Sequence, residues 1–163
     1  MLTRASFGLV VLVLAAVAAA LVIILYVVAP PTAKEMHAEL MRRIEELMPK
    51  GASPCGLVPF QGESQLALDC VGAAVREKKA FWVASQIPFD DSDAWLVVLT
   101  RPEGTFESVL LDSSPTGEPI YTAQYHVLER ASCSSLRMSP DEWPPIDCAG
   151  HRPNNSLERG RDP

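Results

Sequence analysis

A chain of 163 residues with 20 acidic and 14 basic side chains has room for one domain once an apolar start and a polar tail are set aside. Of the basic residues only Arg4 precedes position 29, so 13 basic against 20 acidic side chains leave the remainder seven charges negative. That balance, with no long run of Lys or Arg, excludes a surface built for the phosphates of nucleic acid.

From Phe7 to Val28 the chain carries 22 consecutive uncharged residues, and as a helix these span roughly 33 Å, enough to cross a bilayer. Cleavage at Ala16-Val17-Ala18 or Ala18-Ala19-Ala20 would leave the apolar "LVIILYVV" as a new terminus. The expectation is an uncleaved signal anchor over 7–28, with a cleaved secretory peptide as the alternative. Residues 1–6 are then cytoplasmic, 29–150 form an extracytoplasmic domain and 151–163 a disordered tail. Membrane contact runs through 7–28, and the placement is a single-pass protein of the cell membrane. Four cysteines, all beyond the apolar run, put the domain on the oxidising side.

"TAKEMHAELMRRIEELMP" begins with Thr32 and Glu35 at capping-box spacing and ends at Pro49, so both ends of a helix are marked. Met36, Leu40, Ile44, Leu47 and Met48 give this helix an apolar stripe. "KGASPCGLVPFQGES" reads as a loop. "DCVGAAVREKK" reads as a second, shorter helix capped by Asp69 or starting earlier at Ser64, with Val71, Ala74 and Val75 inward.

After Lys79, "AFWVASQI", "AWLVVLTR", "TFESVLLD" and "PIYTAQYHVL" read as four strands separated by turn chemistry, with "RPEGT" closing a hairpin. The expected fold class is α+β: a transmembrane helix, then two helices packed on one face of a four-stranded antiparallel meander, then a disulfide-bounded C-terminal loop. On that plan Phe81, Val83 and Ile87 face the helices, and Trp82 turns away to lie under the C-terminal segment.

Cys55, Cys70, Cys133 and Cys148 allow three pairings. Cys55 with Cys70 and Cys133 with Cys148 is the favoured one, each closing a loop worth about 3 kcal/mol in the chain-entropy model. A metal site is the alternative, but C-x-x-C is absent and His37, His126 and His151 are scattered, so no metal and no cofactor are expected. "FDDSDAW" begins like a calcium loop, yet Trp95 and Leu96 occupy the places that need an oxygen ligand and a glycine. His126, beside Tyr121 and Tyr125, is the one candidate general base, and paired carboxylates for acid-base work would have to come from Asp69, Asp112 or Glu107, whose spacing singles none of them out. No nucleophile motif accompanies it, so no catalytic residues are assigned.

An apolar N-terminal helix, an amphipathic helix, an antiparallel meander and a Cys-bounded C-terminal loop resemble the plan of type IV pilins, which implies an assembly subunit. "RASFGLVVLV" departs from that family's leader by placing Phe7 before Gly8 and lacking an acid in the apolar run. The helix-then-strands order is also similar to cystatin-like and NTF2-like domains of envelope proteins. The functional expectation is a non-enzymatic binding or assembly module of the cell envelope with a protein partner; the alternatives are a small pocket or enzymatic domain using His126 and nearby acids, and a pilin-like subunit.

Overall fold

The cap written at Thr32 is made as written. The Glu35 N–H donates to the Thr32 hydroxyl at 3.3 Å and the Thr32 N–H donates to the Glu35 carboxylate at 2.7 Å, which opens helix α2 (Ala33–Leu47). In this computed structural model residues 12–21, 30–89, 91–101, 103–117, 120 and 122–149 are described. Residues 12–21 form the helical stretch α1.

Downstream of α2 follow β1 (Ser53–Val58), α3 (Gln65–Glu77), β2 (Phe81–Pro88), β3 (Asp93–Thr100), β4 (Phe106–Asp112), β5 (His126–Cys133), β6 (Leu136–Met138) and β7 (Ile146–Cys148). The first five strands make one sheet in the order β1-β2-β3-β4-β5, and β6 and β7 make a separate two-stranded ribbon. β1 runs parallel to β2, and the other neighbours are antiparallel. The architecture is α+β with three helices and a five-stranded mixed sheet.

The structure differs from the sequence expectation in four places. The first concerns the membrane helix expected over 7–28. Only 12–21 of it is described, a helical length of about 15 Å, and no helix among the described residues is long and apolar enough to cross a membrane. Residues 7–11 and 22–28 lie outside the described residues, as do the expected cytoplasmic end at 1–6 and the tail at 151–163.

The second is the extra strand. "SPCGLV" carries Pro54 and Gly56, so its composition reads as loop, but as a sheet edge it tolerates a proline, and its register slips between Pro54 and Leu57 around Gly56 at φ +101°. Because α3 separates β1 from β2, the pair forms a β-α-β crossover and is parallel, so the meander is incomplete. Asp69 lies inside α3 and accepts from Gln65 at 2.9 Å instead of capping it.

The third is layering. β2, β3 and β4 are buried almost residue by residue, without the alternation of a sheet wet on one face. Both faces are therefore covered. Leu40 and Ile44 of α2 pack with Trp82, Trp95, Val97, Leu99, Val109 and Leu111 on one face. Val71 and Ala74 of α3, with Ile146 of the ribbon, pack with Phe81, Val83, Leu96, Val98 and Leu110 on the other. Trp82 thus lies beneath α2, and the C-terminal segment covers the opposite face.

The fourth is the last strand of the sheet. It begins at His126 and continues through the polar "ERASC", several residues later than its apolar sequence suggests, because an edge strand keeps one side in water. The C-terminal segment, read as a loop, contains the β6/β7 ribbon, in which Leu136 pairs with Cys148 and Met138 with Ile146.

Candidate functional site

Two disulfides, Cys55–Cys70 and Cys133–Cys148, hold the α3 side of the sheet. The first ties β1 to α3. The second ties β5 to the ribbon: Cys133 stands opposite Phe106, whose side chain belongs to the α3-side cluster, and residues opposite each other across strands share a face.

The acids considered beside His126 are not assembled around it. Asp69 is on the outside of α3. Glu107 and Asp112 sit near opposite ends of β4, about 17 Å apart along the strand, and the strand's alternation turns them to opposite faces. Buried Glu107 is held by the guanidinium groups of Arg101 and Arg130, the latter at 3.2 Å. Buried Asp112 accepts the Ser114 N–H at 2.8 Å. His126 is opposite Asp112 in register, yet it is exposed at the start of the edge strand. Tyr121 lies outside the described residues.

A different residue organises the polar interior. Asp93, which reads in sequence as a turn acid, accepts from Trp95 Nε1 and Gln86 Nε2, each at 3.0 Å, through one carboxylate oxygen, and from the Tyr125 hydroxyl through the other. Its N–H donates to Ser113 Oγ at 2.9 Å. Gln86 extends the chain by accepting the Phe60 N–H at 3.1 Å, and Arg43 of α2 donates to the Tyr125 carbonyl at 2.8 Å. Burial first, and then the hydrogen bond to the Asp93 carboxylate, push the Tyr125 phenol well above its ordinary value. Every polar group in this chain has a partner within it, so its work is to lock β2, β3, Tyr125 and α2 together. The sequence signal for it was present: Trp95 and Tyr125 are aromatic groups with a polar handle, and buried ones need a partner.

No group of three or more His, Cys, Asp and Glu among the described residues is placed to hold a metal ion. Asp91 of "FDDSDAW" instead lies against the turn at Gly117, where a Cβ would stand 2.8 Å from its carboxylate oxygen.

Two surfaces remain. One is the edge of the sheet at β5, beyond which no strand pairs among the described residues. Val127 and Leu128 are 38% and 44% exposed there, and Leu128 is the extra residue of a bulge between the pairs Leu110–Glu129 and Leu111–Val127. The other is a cleft of about 310 Å³ beneath the C-terminal end of α3, lined by Ala74, Val75, Lys78, Phe81, Thr100 and Phe106, with Lys79 and Gly104 at its sides. Its walls come from two stretches, 74–81 from the end of α3 into β2 and 100–106 around the β3–β4 turn, and no local motif marks it. Comparison with protein-family models, with curated proteins and with solved structures finds no match to this chain.

Proposed function

We propose that the chain is a binding and assembly module of an extracytoplasmic compartment that meets a partner protein along β5. The observation that carries this reading is the open sheet edge at β5, which bears Val127 and Leu128 beside strands β2, β3 and β4 that are buried almost throughout. An unpaired edge offers a row of main-chain donors and acceptors to an extended segment of another protein, and flanking apolar side chains add selectivity. Two disulfides in so small a domain support an oxidising compartment. A binding role rather than turnover is supported by the acids themselves, since Glu107 and Asp112 are engaged in the contacts that hold the sheet.

The test is site-specific photocrosslinking in the native envelope, with the reactive residue at position 128 and, as a control, at Leu66, which is 77% exposed on α3. A discrete adduct from 128, absent from 66 and abolished by Val127→Lys, is the expected result. Adducts of equal yield from both positions, or none from 128, would count against the edge as the docking site.

A further inference from the structure

We propose that the cleft beneath the C-terminal end of α3 binds a small apolar carboxylate. Its volume, about 310 Å³, lies at the lower end of the range of small-molecule pockets, and its walls are mostly apolar, as such pockets usually are. Phe106 and Val75 give the cleft its accessible apolar surface, and the ring of Phe106 lies 6.1 Å between centroids from that of Phe81, which is itself fully buried.

Two features select the ligand. The first is charge. In a chain with six more acids than bases, Lys78 and Lys79 both stand at this cleft. Lys79 is paired with Glu77 at 2.6 Å, whereas Lys78 has no ion pair among the described residues. Lys78 takes a left-handed conformation at φ +53°, and the Lys78 and Lys79 N–H groups donate to the last carbonyls of α3. Those carbonyls carry the negative end of the helix dipole, about half an elementary charge, which one full ammonium charge outweighs. The second feature is Thr100. It lines the cleft, and its hydroxyl is buried with no hydrogen-bond partner among the described residues. A buried hydroxyl without a partner is left desolvated and uncompensated, and rotation of the Thr100 side chain toward the cleft would give it a polar ligand atom as partner. An apolar body against Phe106 and Val75 and one anionic head toward Lys78 and Thr100 satisfy both features. The cleft lies on the α3 side at the end of the sheet marked by the β3–β4 turn, so this ligand site stands apart from the contact proposed for β5.

The experiment is an NMR titration of the full chain with octanoate, octanol and octylamine as matched probes. Octanoate is expected to bind saturably and to shift the amides of Lys78, Gly104 and Phe106, with octanol about fivefold weaker and octylamine weaker again. Lys78→Gln should bring octanoate down to the affinity of octanol and leave octanol unchanged. Thr100→Val should weaken octanoate while raising the stability of the free chain, because the unpartnered hydroxyl is gone. Val75→Trp should block both ligands from the mouth. Octylamine binding as tightly as octanoate, the absence of saturable shifts at the cleft in the unaltered chain, or octanoate affinity indifferent to Lys78→Gln would each overturn the proposal.

Discussion

The two faces of the sheet are held by different means. On the α2 side nothing is covalent. A capped helix of 15 residues lays Leu40 and Ile44 onto two tryptophans and a row of valines and leucines, and the Asp93 and Glu107 clusters fix the polar positions at either end. On the α3 side both disulfides are used. The reason is visible in the elements themselves. α3 has Gly72 in its interior and no side-chain bond at its N-cap, and the ribbon has only three residues in each strand. Those are local weaknesses that α2 lacks, and a cross-link offsets them. A good helix is docked by packing here, and weak elements are stapled.

If that division is right, the largest loss should come from the unstapled side. Ile44 is fully buried, and Ile44→Ala is expected to cost about 4 kcal/mol in denaturant unfolding, with the same loss whether or not reductant is present. A loss that shrank markedly under reduction would mean that the faces are not independent. Next comes the staple. Replacing Cys133 and Cys148 together by Ser is expected to cost about 3 kcal/mol and to open the ribbon before the sheet, read as early exchange of the Ile146 amide while those of Val97 and Val109 stay protected.

The polar chain on the α2 side gives a smaller, pH-dependent effect. The Tyr125 phenol is raised in the folded protein above its ordinary value of 10.0. Its contribution is therefore fully present below that pH and is lost as pH rises through the folded value. Unfolding followed from pH 8 to 11 should show stability falling at the alkaline end. Tyr125→Phe should cost about 1 to 2 kcal/mol at neutral pH and flatten the alkaline fall. An unchanged alkaline slope in that variant would place the titration elsewhere.

What could be read from the sequence follows the same division. α2 was legible because Thr32, Glu35 and Pro49 mark its ends and its stripe is regular, all within one stretch of chain. β2, β3 and β4 were legible as strands from their branched and aromatic content, but not as a doubly covered sheet, since an unbroken apolar run does not say what lies on each side. β1 was hidden by Pro54 and Gly56, which spell a loop except at a sheet edge, and β5 by "ERASC", whose polarity is what an edge allows. The uncharged run at 7–28 invited a spanning helix on length alone, and the described helix covers ten of its residues. The cleft had no sequence signal, because Thr100 meets Phe106 through strand register and α3 meets Phe81 through packing. Asp93 was visible only as one acid among several in a turn.

The smallest effect sharpens the contrast most directly, because it sets the two helices side by side. Thr32 accepts the Glu35 N–H and is itself tied back by the Glu35 carboxylate, whereas Ser64, in the same position on α3, makes no side-chain cap bond and has a helical rather than extended backbone. Thr32→Ala should cost about 1 kcal/mol. It should also speed amide exchange in the first turn of α2 alone, since the released N–H groups lie at a helix end that no disulfide restrains. Ser64→Ala should leave stability within about 0.3 kcal/mol of the unaltered chain, because there is no cap bond to remove and the Cys55–Cys70 bond holds α3 to β1 in either case. Equal losses from the two substitutions would show that α3 relies on its own helix start as α2 does, and the disulfide would no longer account for its position.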